Sequence, residues 1–260
     1  MSVQVQRRGA VSTITLDRPQ AMNAVNAELG EALKQAVEDA ASDDTVRAVL
    51  LTGSGRAFSS GADLKSGFEA DHDGLPDLGS ALRSRFHPII EGLRTMPKPT
   101  IAAVNGPAVG IGLSFALACD LVIAAESSYL LLAFVNIGLV PDGGSSFLIP
   151  ERIGFARALE MALLGERVTA KTALEWGLIN RVVADGELQA HADDLADRLA
   201  QGPTRSYAGS KRQLNHWAYA RMHEQLELEA TIQAEMAGTK DFIEGVTAFV
   251  EKRPPSFTGS

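Results

Sequence analysis

The stretch that most restricts the fold is Val104–Asp120, VNGPAVGIGLSFALACD. Here an apolar, β-rich run, IAAV, ends in glycine-bearing turns and passes directly into an apolar helix. Gly106, Gly110 and Gly112 permit close backbone approach and unusual dihedrals, and Leu113–Cys119 has the composition of a buried helix. The first N–H groups of a helix have no internal partner and lie at the positive end of its dipole, so an oxygen that gains negative charge can be held there. Taken alone, the stretch reads equally well as a strand–turn–helix joint whose glycines serve packing. Other segments must decide.

Length and composition narrow the class. With 260 residues, 45% of them hydrophobic, the chain supports one large domain or a domain with an appendage, around a substantial core. A formal net charge of −8 argues against general binding to nucleic acid or anionic membranes. The single cysteine, Cys119, lies in an apolar run and reads as a reduced core residue. The N-terminus carries no apolar signal core, and no apolar stretch reaches the ~20 residues of a membrane span, which makes the cytoplasm the expected compartment.

Along the chain, Val3–Gln6 and Val11–Asp17 alternate around Gly9 as a hairpin, ended by Arg18-Pro19. Asn23 and Asn26 are turn and N-cap candidates for an amphipathic helix from Ala27 to about Ala41, and Val46–Thr52 is a further strand. The loop Gly53–Leu64 follows that strand where α/β proteins place ligands, but it lacks the Lys-Ser or Lys-Thr of a nucleotide P-loop. Ser66–Gly79 reads as a mobile surface segment able to cover a pocket, and its run Asp71, His72 and Asp73 as solvated charge rather than a metal site.

A helix is expected from Leu82 to about Met96, displaced or kinked at Pro88, with His87 as a wall or core residue. Two glycine-bearing turns, at 59–62 and 106–112, each follow a buried strand; if those strands are neighbours, two N–H groups converge. Asp142 follows apolar Leu139 and Val140 and precedes Gly143 and Gly144, so a ligand can approach its oxygens. It reads equally as an N-cap for a helix starting near Ser145. Helices are expected at about 154–164, 170–175, 186–200, 241–250 and, as one long helix, near 205–237. His216 and His223 lack the acidic partner of a metal motif.

Four ordered motifs, RAFSSGADLK at 56–65, PKPTIAAVNGPAVGIG at 97–112, NIGLVPDGG at 136–144 and EKRPPSF at 251–257, resemble the crotonase family, the enoyl-CoA hydratase/isomerase superfamily. The resemblance implies an α/β fold, a spiral of strand–strand–helix units over 1–202 that carries the acyl-CoA site. A helical C-terminal region, 203–260, would pack on the core and on neighbouring subunits of a homotrimer or homohexamer. It also implies that the N–H groups of Ala62 and Ile111 hold a thioester oxygen while an enolate forms, with Ser60, Gly61, Gly110 and Phe134 as substrate contacts.

The two glutamates that position water in hydratases of this family fall on Ser114 and Phe134, neither of which is a carboxylate base. Asp142 instead matches the single acidic residue of double-bond and ring isomerases, and the nucleophile of a dehalogenase branch. Basic residues usual after the first Arg-Pro are replaced by Gln20, Ala21 and Met22, which leaves Arg18, Lys65, Lys98, Lys252 and Arg253 as candidates for CoA phosphates. Phe257 is expected on the CoA moiety or a neighbouring subunit. The expected activity is an enoyl-CoA isomerase with Asp142 as proton shuttle. Its alternatives are an enoyl-CoA hydratase (lyase) of fatty-acid β-oxidation and a non-catalytic acyl-CoA-binding protein. Coenzyme A arrives as part of the substrate, with no tightly bound cofactor, metal or nicotinamide.

Overall fold

The computed structural model describes residues 2–260 other than Asp71, Asp73 and Leu75, so the two aspartates of the polar run lie outside the described residues. Nine strands are described: β1 (Val3–Arg8), β2 (Val11–Leu16), β3 (Ala48–Gly53), β4 (Thr100–Val104), β5 (Ala108–Val109), β6 (Leu121–Ala125), β7 (Tyr129–Leu131), β8 (Val168–Thr169) and β9 (Arg181–Val183). β1 and β2 form the expected antiparallel hairpin. From β2 onward the larger sheet is parallel, in the order β1-β2-β3-β4-β6-β9.

Side chains alternate across these strands, and both faces are covered. Ala48, Leu50, Ile101, Ala103 and Ile123 meet Leu188, Ala192, Leu195 and Ala196 of α8 (Leu188–Gln201). Val49, Leu51, Ala102, Val104 and Val122 join the larger core with α1 (Ala27–Ser42), α3 (His87–Thr95) and α4 (Ile111–Ala118). Asn26 caps α1 by accepting from Leu29 N–H at 3.0 Å, as its position before the apolar periodicity predicts.

A second layer turns this sheet into a spiral. After strands of the large sheet the chain adds short extended pieces: Val25 bridges Ala62, Ser59 bridges Ala108, β5 pairs with β7, and β7 with β8. The repeated unit is therefore strand, short strand, helix, as the resemblance implies. Stacking these units sets the loop after β3 beside the loop after β4.

Pro88 displaces its helix in a particular way. A short α2 (Leu78–Ala81) passes through a π-helical turn, Leu82–Phe86, before α3 begins. Proline has no N–H and its ring excludes the carbonyl four residues back, here Ser84. That freed oxygen accepts from Lys34 Nζ at 3.2 Å. The C-terminal half is helical: α5 (Ser145–Ile153), α6 (Phe155–Leu164), α7 (Ala170–Trp176), α8, α9 (Thr204–Ala218), α10 (Met222–Ala237) and α11 (Lys240–Glu251).

The single helix expected near 205–237 is thus two. The chain breaks at Tyr219–Arg221, where the Tyr219 ring is drawn between Phe147 (centroids 5.6 Å apart) and the Arg94 guanidinium at 5.2 Å. α9 is fastened by Lys211, whose buried Nζ bonds Asp120 Oδ2 at 2.8 Å and Leu93 O at 2.7 Å.

Candidate active site

The two glycine turns meet at one end of a cavity of about 1280 Å³. Gly61 has φ +90, and a Cβ there would lie 3.0 Å from Val109 O and 3.9 Å from Gly110 Cα. Gly110, at φ 52 and ψ −126 just before α4, has a positive-φ conformation that favours glycine. Neighbouring backbone groups are consumed in register. Val109 N–H donates to Ser59 O (2.9 Å), Ser59 N–H to Pro107 O (3.0 Å), Val25 N–H to Gly61 O (2.8 Å) and Asp63 N–H to Val25 O (3.0 Å). Of the turn residues that line the cavity, Ala62 and Ile111 are the two whose N–H finds no acceptor among the described residues.

Asp142 lines the same cavity, and its segment is built onto α4. Ser114 Oγ, buried in α4, donates to the Asp142 carbonyl at 2.9 Å, and Ser145 Oγ donates to the same oxygen at 2.7 Å. Asp142 is buried; Oδ2 accepts from Gln233 Nε2 at 2.6 Å, while Oδ1 is buried without a partner among the described residues. Burial, reinforced by the negative charge of Glu229 and opposed by the Gln233 donor, pushes the Asp142 carboxyl up to about 8.

The N-cap reading of Asp142 is corrected by the structure. The residue before α5 is Gly144; Ser145 N–H donates to the Asp142 backbone carbonyl at 3.1 Å, while Glu229 accepts from Gly144 N–H at 2.8 Å and Ser146 N–H at 3.1 Å. A carboxylate from α10 therefore caps α5 and leaves the Asp142 carboxyl free of that duty. Burial pushes Glu229 up to about 7, with the Ser146 and Gly144 donors pulling the other way.

Other expected contacts divide. Ser60, Gly61, Gly110 and Phe134 line the cavity, as do Arg18, Lys65 and Arg253. Arg18 is held by Asp63 at 2.9 Å and by Ala24 O at 2.6 Å. Lys98 is not a cavity residue: it is buried, and its Nζ donates to Ala40 O (2.8 Å) and Asp43 O (2.9 Å), which ties off the end of α1. Lys252 takes the left-handed position that closes α11, and neither it nor the 43%-exposed Phe257 lines the cavity; Phe249 and Pro255 do. Sequence reasoning missed two basic wall residues, Arg56 and Arg85, of which Arg85 pairs with Glu69 at 2.8 Å. It also missed Glu229 and Gln233. Because Gln233 and Phe249 line the cavity, a boundary at residue 202 does not divide the site from the C-terminal helices. Among the described residues no cluster of three His, Cys, Asp or Glu side chains could hold a metal ion, and no helix is long and apolar enough to cross a membrane.

A spiral of strand–strand–helix units that brings two unpaired N–H groups and one buried carboxyl to a single large cavity places the chain in the enoyl-CoA hydratase/isomerase family, whose model matches residues 6–260. Over 249 residues it is 43% identical to a Rhodobacter capsulatus protein named "Probable enoyl-CoA hydratase", covering 96% of this chain and 95% of that one. It is 41% identical, with the same coverage, to 1,2-epoxyphenylacetyl-CoA isomerase of Escherichia coli. The crystal structure of an enoyl-CoA hydratase from Mycobacterium avium subsp. paratuberculosis K-10 superposes with a TM-score of 0.91 at 35% identity, over 99% of both chains. Hydratase and isomerase names both occur among these relatives, so the choice of reaction rests on the site.

Proposed function

We propose that the chain is an acyl-CoA thioester isomerase. The thioester oxygen sits between the Ala62 and Ile111 N–H groups, and Asp142 Oδ1 takes a proton from one carbon of the acyl chain. The C–H electron pair moves into a dienolate whose oxygen carries the charge. Asp142 then returns the proton to another carbon, so the double bond shifts and nothing is consumed. Each N–H donor contributes about 3–4 kcal/mol of transition-state stabilisation in sites of this type.

The observation that carries the reading is the unpartnered oxygen Oδ1 of Asp142, a cavity-lining residue, with no second unengaged carboxylate among the described residues of the wall: Asp63 and Glu69 pair with Arg18 and Arg85, and Asp77 caps Ser80 N–H. At the two positions where hydratases of this family resemblance carry glutamate, Ser114 spends its hydroxyl on the Asp142 carbonyl and Phe134 is apolar. Glu229 is engaged with backbone N–H groups and does not line the cavity. CoA enters as part of the substrate, with Arg18, Arg56 and Lys65 on the cavity wall as the groups for its phosphates. We also infer a trimer or hexamer, supported by uncovered apolar residues on α6 and α9.

The test follows 3-enoyl-CoA and 2-enoyl-CoA esters by mass and double-bond position. The panel includes the epoxide of phenylacetyl-CoA, because a relative is named for that substrate. Wild type is expected to shift the 3-enoyl double bond faster than it hydrates a 2-enoyl ester. Asp142→Asn is expected to lose about 100- to 10,000-fold in turnover with ester affinity preserved. Fast water addition that persists in the variant makes hydratase the better reading. Equal binding by both proteins, with no reaction across the panel, makes the chain an acyl-CoA-binding protein.

A further inference from the structure

α10 presents Gln225, Glu229 and Gln233 at intervals of four, so their side chains stack along one face. All three reach residues 140–146. Gln225 Nε2 donates to Ser146 Oγ at 2.9 Å, and Glu229 takes the Gly144 and Ser146 N–H groups. Gln233 is bound to Val140 through both ends of its amide: Oε1 accepts from Val140 N–H and Nε2 donates to Val140 O, each at 3.2 Å. Reversing the amide would break both bonds, so the atom that faces Asp142 is a donor. That donor occupies Oδ2 and leaves Oδ1 as the oxygen without a partner.

We propose that Gln233 and Glu229 are positioning residues for Asp142: Gln233 holds Oδ2 so that Oδ1 is the oxygen that meets substrate, and Glu229 keeps a second carboxylate on the side away from the cavity. The inference rests on the isomerase reading only for the identity of the substrate. The arrangement governs any chemistry that Oδ1 performs.

The two residues act with opposite sign. A donor on Oδ2 favours the ionised carboxylate, and a neighbouring negative charge disfavours it. Around Asp142, α4 brings no titratable side chain, α5 brings only Glu151 and Arg152 beyond its midpoint, and α10 brings Glu229. The other charged residues on the cavity wall are Arg18, Arg56, Asp63, Lys65, Glu69, Asp77, Arg85 and Arg253, of which none is a source of the Asp142 shift.

The experiment is a carbon-13 titration of the Asp142 carboxyl in protein labelled at the aspartate γ-carbon. The resonance is assigned by its absence in Asp142→Asn, and the pH profile of kcat/KM is measured alongside. Glu229→Gln removes the charge and keeps the shape, and is expected to move the midpoint down by about half a pH unit or more. Gln233→Leu removes the donor, and is expected to move the midpoint up by about the same amount while kcat falls about tenfold with KM little changed. A merely structural role would lower stability in both variants and leave the midpoints where they are. If Glu229→Gln does not fold, Gln233→Leu carries the comparison. Midpoints that coincide with wild type in every folded variant overturn the inference. Midpoints that move as described in a protein with no turnover on any thioester uphold it and remove the isomerase reading instead.

Discussion

Asp142 illustrates how one side chain can be tuned at the expense of the fold. In an unfolded chain aspartate and glutamate ionise near ~3.9 and ~4.3; here burial raises Asp142 to about 8 and Glu229 to about 7. A carboxyl with a raised folded-state pKa contributes stability that is fully present below the unfolded value and is lost as pH rises through the folded value. The window for this pair therefore runs from about pH 4 to about pH 8. Asp142→Asn removes the larger contribution, so the variant should gain on wild type as pH rises. Urea unfolding is expected to show near-equal stability at low pH, within about 1 kcal/mol, and an advantage to the variant of roughly 1–3 kcal/mol above pH 8. A difference between the two proteins that does not change with pH would contradict the buried, raised carboxyl.

Elements differ in how far their placement could be read before folding. Asn26 announces its helix locally and caps it as its position predicts. The glycines at 61 and 110 were legible because no other residue suits such turns. By contrast, the break between α9 and α10 falls in a run with no glycine or proline, and arises from Tyr219 packing on Phe147 and Arg94. Glu229 and Gln233 sit in a helix whose spacing reads as an ordinary polar face, and their partners lie 83 to 93 residues away. Lys98 misled for the same reason, since its acceptors are carbonyls at the end of α1. Lys211 is the comparable tie for α9, buried against Asp120, which also bonds Thr100 and lies 3.4 Å from Arg94. Lys211→Met keeps the stem and deletes the charge, so unfolding free energy should fall by about 3 kcal/mol with little change in denaturant slope. A loss below about 0.5 kcal/mol would mark the pair as a surface-like contact.

At the scale of the molecule, the surface left by one chain is unusually apolar in places. Phe155 and Leu163, two turns apart on α6, are 72% and 66% exposed, and Trp217 on α9 is 82% exposed. Uncovered side chains of this size along helices favour association. Deleting 203–260 would be a poor test, because it also strips Glu229 and Gln233 from the segment that holds Asp142. Point changes separate the two effects. Light scattering of wild type at micromolar concentration is expected to give the mass of a trimer or hexamer. Phe155→Glu combined with Leu163→Arg should shift the population towards smaller species if α6 lies in the contact, while the far-ultraviolet circular dichroism is retained. Neither substitution touches Asp142 or the two glycine turns, so residual activity per chain then reports whether a site is complete within one subunit. A wild type that remains monomeric across the concentration range would overturn the assembly reading and leave the exposed row on α6 without a partner of its own kind.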